Sequence, residues 1–221
     1  MRKSILILLL FLIPTGSFAE PEFHKGSVSI KSFTDDGSFK VTGQNYDSYG
    51  FDGNGTDISG NFFVENKLAF GFSKKSYDTS YGANYFNTVC DVEQTSLLIS
   101  YHPERTNYFT GEGHGLNIGI RNTDSDIDCS TDIGDLWAST ESNYFNIQAT
   151  RGLGNGLVLE LAFESDTEDL LDDSGISFGL NKMLDGNVSI SVGVFLHQSA
   201  ENTSGDYTQH SRVFLGGGYL F

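Results

Sequence analysis

The chain has 221 residues, with 29 acidic against 13 basic side chains and a net charge of −16. It lacks the clustered Lys and Arg that neutralise phosphate, which excludes DNA or RNA as a partner. Gly (26), Phe (18) and Tyr (10) are abundant, residues that suit strands and tight turns better than helices.

The first predicted element is a leader. Arg2 and Lys3 precede an apolar run over residues 5–13, and Pro14, Gly16 and the small-residue end Ser17-Phe18-Ala19 follow. That layout is a secretory signal peptide over residues 1–19, cleaved after Ala19. The run is too short for a spanning helix, which needs about 20 residues. No Cys stands beside the cleavage site, so a lipid anchor is not indicated. Two of the 13 basic residues leave with the leader and all 29 acidic ones stay, so the exported chain carries −18. Residues 20–36 are expected to form a short lead, with local strand structure over 27–33.

Beyond the lead, period-two alternation dominates. Leu157, Leu159, Leu161 and Phe163 share one face, while Val158, Glu160, Ala162 and Glu164 share the other. Val188, Ile190, Val192, Val194 and Leu196 repeat the pattern, as do Leu68, Phe70 and Phe72, then Ile176, Phe178 and Leu180. Ten strands are predicted, at 38–46, 57–64, 67–77, 92–101, 108–121, 141–151, 157–164, 174–183, 188–197 and 208–221. Eight is the alternative, if the first pair lies outside the wall. Short connections (65–66, 102–107, 152–156, 185–187) alternate with long ones (47–56, 78–91, 122–140, 165–173, 198–206).

No apolar stretch after residue 19 could cross a bilayer as a helix, and a membrane chain without such helices must close a barrel. Tight turns at one end and long loops at the other is the arrangement of outer-membrane barrels. The fold class is therefore all-β: a closed antiparallel transmembrane β-barrel over residues 37–221, with residues 20–36 as a periplasmic lead. One segment resists the pattern. Alternation that turns Leu116, Ile118 and Ile120 to lipid also turns Glu112 and His114 there, at about 2–4 kcal/mol for a charge at mid-membrane. The Gly111, Gly113, Gly115 run therefore predicts a bulge or kink near 111–115.

The last strand ends on Gly216-Gly217-Gly218-Tyr219-Leu220-Phe221, with Tyr219 and Phe221 on the outward face. Gly216, Tyr219 and Phe221 resemble the C-terminal signal that the barrel assembly machinery reads. Residues 51–55, 59–64 and 98–102, with this closing strand, resemble a family of small bacterial outer-membrane β-barrel proteins of the ten-stranded type. The resemblance covers most of 38–221 and implies a fold and an outer-membrane location, with no activity attached. Its departures are the Gly-rich stretch at 111–115 and the cysteine pair.

Strand phase supplies the candidate site. Lys40, Asp57, Glu160, Glu164, His197, His210 and Arg212 are expected to face the lumen as a charge network that fills it, or to line a narrow cation-preferring pore. Cys90 and Cys129 are candidates for a disulfide, which an exported chain permits. Asp52, Asn54 and Asp57 imitate the start of a calcium loop but lack its sixth-position Gly and later Glu, so a turn is the simpler reading. The acidic stretches 124–128 and 168–173 could hold Ca²⁺ or Mg²⁺ weakly, as bridges to lipopolysaccharide; no other cofactor is expected. His197 and Ser199 have the spacing of a lipid A deacylase, but Ala200 stands where that enzyme has Asn. The leading expectation is a non-enzymatic surface barrel with acidic extracellular loops, in contact with outer-membrane lipid. The narrow pore and a lipid-modifying enzyme are the alternatives.

Overall fold

The computed structural model describes residues 23–40, 48–65, 67–83, 86–131, 134–167, 173–199 and 207–221. The segment expected to be a leader, residues 1–19, lies outside these residues. Ten antiparallel strands run β1 (Gly26–Lys40), β2 (Ser48–Glu65), β3 (Leu68–Ala83), β4 (Phe86–Glu104), β5 (His114–Thr131), β6 (Gly134–Gly154), β7 (Leu157–Asp166), β8 (Asp173–Met183), β9 (Val188–Ser199) and β10 (Tyr207–Leu220). Each pairs with its sequence neighbours, and β10 pairs with β1 to close the barrel. Closure removes every edge within the ring, which is what a sheet in lipid requires. The seam is completed at the chain end, where the Gly26 and Phe221 backbones exchange two hydrogen bonds of 3.0 Å.

The alternation acts as the sequence implies. Val28, Ile30, Ile58, Phe70, Phe72, Leu97, Ile99, Ile120, Val192 and Leu215 all point outward and stay exposed, forming an apolar belt. Tyr101, Tyr219 and Phe221 lie at its lower rim, where amphipathic rings prefer to sit. Glycine and phenylalanine are complementary inside. A side chain on Gly175 would collide with the Phe195 ring, and one on Gly193 with the Phe214 ring. Glycine at these positions lets an aromatic ring lie flat on the wall of a narrow lumen.

Three expectations need correction. The first strand is Gly26–Lys40, not 38–46, so the wall begins inside the segment read as a lead. Only Val28 and Ile30 show apolar alternation there; Lys31, Phe33 and Asp35 turn inward, and polar Ser32, Thr34 and Asp36 outward, which hides the strand. The stretches 47–56, 78–91 and 122–140 are mostly strand rather than loop. Their outward side chains turn polar because the strands have left the lipid, while backbone pairing continues. At about 3.3 Å per residue, β4, β5 and β6 (19, 18 and 21 residues) far exceed the 9–11 residues a tilted strand needs to cross.

The third correction concerns 108–121. Strand β5 starts at His114, and residues 105–113 form a compact turn with Gly111 (φ 67°) and Gly113 (φ 81°) in the left-handed region that glycine tolerates. The pairing also shifts between Tyr101 and Glu104. Glu112 thus stands before the strand, and His114 meets the Glu104 carboxylate at 2.7 Å.

Candidate functional site: the lumen and its closures

Ion pairs cross the upper lumen. Arg212 of β10 donates through Nε (3.1 Å) and Nη2 to Asp35 Oδ2, and its guanidinium lies over Phe33 (4.2 Å) and Tyr77 (5.5 Å). Arg121 of β5 reaches past β6 to Glu164 of β7 with a two-pronged contact, Nη2 to Oε1 at 3.1 Å and Nη1 to Oε2 at 3.0 Å. The Lys75 ammonium lies within electrostatic range of Arg121, Arg212, Asp57 and Glu164. Register places Lys31, Asp57 and Lys75 side by side on β1, β2 and β3. Above them, the His197 and His210 rings stack at 4.6 Å between Phe195 and Phe51, and His197 Nε2 contacts Asp173 Oδ1.

The turn between β4 and β5 closes the lower end by folding back into the lumen. Tyr108 donates its hydroxyl to Glu160 Oε1 at 2.8 Å, and the Thr106 and Thr150 hydroxyls meet at 2.6 Å. Arg105 lies 3.5 Å over the Phe63 ring and 4.8 Å over that of Phe23, and it donates to the His24 carbonyl. Asn107 Oδ1 accepts the N–H groups of Phe109 and Thr110, which fixes the turn. Burial raises the Tyr108 phenol well above its usual range and lowers Arg105 to about 10. Burial, with the Arg105 and His102 charges, lowers the His24 imidazole to about 4. Between the two closures lies a polar cavity of about 380 Å³, lined by Ser29, Ser59, Asn61, Lys75 and Asn117 among others.

Asp57, Glu160, Glu164, His197, His210 and Arg212 therefore share the lumen. Lys40 ends β1 opposite Ser48 and Tyr207; its side chain lies outside the described residues. Lys31, Lys75 and Arg121 are lumen cations that the sequence reading passed over. Phase could have found them, because each stands one residue from an outward Ile30, Lys74 or Ile120. No sequence signal marks Arg105 and Tyr108, because an inward fold of a turn has no period.

Two other constellations come apart. Asp52, Asn54 and Asp57 are not in a loop but along β2, where alternation turns Asp52 and Asn54 outward and Asp57 inward, so they cannot share an ion. Among the described residues no group of three His, Cys, Asp or Glu is placed to hold a metal, and 168–172 lie outside them. Ser199 Oγ accepts the Thr208 N–H at 2.7 Å while His197 is held by Asp173, so the two do not form a nucleophile–base pair. Cys90 and Cys129 face each other across β4 and β5 and are joined in a disulfide.

No family model and no curated sequence matches the chain. Among solved structures it is similar to the translocator domain of the autotransporter NalP from Neisseria meningitidis, with a TM-score of 0.54 and 10% identity over 89% of each chain. The chain has the outer-membrane β-barrel fold. Two small barrels are more distant. Neisserial surface protein A has a TM-score of 0.45 at 11% identity, over 88% of this chain and 97% of its own. Ail, the attachment invasion locus protein of Yersinia pestis, has 0.42 at 12% identity, over 89% and 99%. At such identities the likeness concerns the fold.

Proposed function

We propose that the chain is a non-enzymatic outer-membrane barrel that works at the cell surface, with its lumen closed and its protruding strands β4–β6 as the working surface. The observation that carries this reading is the lower closure: Arg105, Thr106 and Tyr108 are held in the lumen by His24, Thr150 and Glu160. A barrel built to conduct gains nothing from burying an Arg and a Tyr in its mouth. The apolar belt would sit among outer-membrane lipids, and the acidic outward face above it beside lipopolysaccharide, with divalent cations as bridges. Gly216, Tyr219 and Phe221 would serve recognition by the assembly machinery.

The test is conductance of the refolded barrel in planar bilayers. The expected result is no channel steps for the native chain, and steps once Arg105→Ala and Tyr108→Ala are combined. Steps from the native chain would overturn the reading and favour a narrow pore. The one observation for that alternative is the polar cavity of about 380 Å³, room for about a dozen waters. Lys31 and Lys75 flank Asp57 there, a charge pattern that does not favour cations.

A further inference from the structure

Strand β6 outruns its neighbour. It pairs with β5 along its whole upper length, from Thr131–Gly134 to Asn122–Asn143. On its other side β7 ends at Asp166, and the final bond of that ladder runs from the Thr167 N–H to the Asn143 carbonyl at 2.8 Å. In an antiparallel ladder alternate residues direct both backbone groups to the same side. The Asn143 bond therefore turns the N–H and C=O groups of Glu141, Ser139, Trp137 and Asp135 toward the side β7 has left. Among the described residues none pairs with them, and every residue from 134 to 141 is exposed. Trp137 is 72% exposed and Leu136 63%, although buried aromatics are the usual anchors of a fold.

An open edge of this length pairs with another strand unless something prevents it. Charge determines which strand. Residues 122–150 contain six acidic residues and no Lys, Arg or His. Asp135 and Glu141 lie on the edge strand itself, with Asp124, Asp126 and Asp128 on the same outer face of β5. Two copies of this edge would bring like charges together, which disfavours pairing with a second copy. A basic strand gains on both counts. The geometry points to the β6 edge, residues 135–141, as a docking site for an extended basic segment of another protein, which would add to the sheet as a further strand. Its alternate cations would face Asp135 and Glu141, and its apolar side chains would cover Leu136 on the opposite face. The Cys90–Cys129 disulfide joins β4 and β5 at the level of Leu136. The inference rests on the surface-binding reading above and names the partner's chemistry.

The experiment uses the refolded full barrel in detergent micelles and a ten-residue peptide of alternating Lys and Val. Trp137 is the sole tryptophan of the chain, so its emission reports the edge directly. Saturable binding with a blue shift is expected. Methylating alternate backbone amides of the peptide, or replacing its Lys by Glu, should weaken binding at least tenfold. Ser139→Pro, which removes one edge N–H, should do the same while heat-modifiable gel mobility is retained. Equal binding by the methylated peptide would overturn strand addition and leave charge attraction alone; no binding by the native chain would overturn the site. Either result in a non-conducting barrel counts against this inference only, because conductance tests the closed-lumen reading separately.

Discussion

The lower and upper halves of this barrel use the same backbone ladder for opposite purposes. In the lower half, outward positions are Val28, Ile58, Phe70, Ile99 and Ile120, and inward positions carry the hydrogen bonds and ring contacts of the lower closure. In the upper half of β3–β6, the same outward positions carry Asp78, Asp91, Asp126 and Asp128, and β6 has no partner on one side among the described residues. Strand pairing is thus indifferent to the solvent around it. The side chains at alternate positions record where the lipid ends.

The sharpest way to break that comparison is to exchange the two chemistries. Ile99→Arg places a charge in the lipid belt and should cost about 2–4 kcal/mol at mid-membrane; Ser139→Arg, on the upper half, should stay within about 0.5 kcal/mol. Urea unfolding of both variants in lipid vesicles measures the difference, and equal costs would mean that the belt is misplaced. A smaller effect belongs to the lower half's interior. Tyr108→Phe leaves the Glu160 carboxylate without its hydroxyl donor, a loss of about 1–3 kcal/mol for a buried polar group, read as a lower urea midpoint.

The same division governs what the sequence could reveal. Where lipid meets the wall the rule is binary, so strands near 67–77, 157–164, 174–183, 188–197 and 208–221 are legible, and with them the phase of Glu160, His197 and Arg212. Above the lipid both faces are polar, and nothing in Asp124-Ser125-Asp126-Ile127-Asp128 separates a paired strand from a loop. β1 escapes the sequence pattern for a related reason. Its inward Lys31 and Asp35 have partners only once β2 and β10 are folded beside it. The lower closure depends on a single tertiary event, the return of residues 105–113 into the lumen, and only the glycines at 111 and 113 hint that the strand must stop there.

The disulfide separates the halves further. Cys90→Ser with Cys129→Ser should leave heat-modifiable mobility unchanged, because the belt ladders do not depend on it. Amide exchange over 86–92 and 125–141 should accelerate about tenfold, since local openings draw on few contacts there. Slower or unchanged exchange would show that the upper sheet is held by its ladder alone.

Acid should move the two halves in opposite directions, with the smallest effect of the series. His24 lies before β1, and burial lowers its imidazole from 6.5 to about 4. Between those values the unfolded chain binds the proton and the folded one does not. Stability of the lower closure is therefore complete above pH 6.5, declines as pH falls through the window, and levels off below about 4. In the upper half, Asp78, Asp91 and Asp128 stand in one row across β3, β4 and β5; the hydrogen bond with Asp78, with the charges on either side, raises the Asp91 carboxyl, and its protonation relieves the repulsion along the row. Between pH 7 and pH 4.5, amide exchange corrected for its intrinsic rate should rise in residues 105–113 and fall around residues 78, 91 and 128. His24→Phe should reduce the first change, leaving the share of the buried His102, and should leave the second intact. If both regions loosened together, the two halves would be one cooperative unit, and the separation of lipid belt from surface sheet would fail at its base.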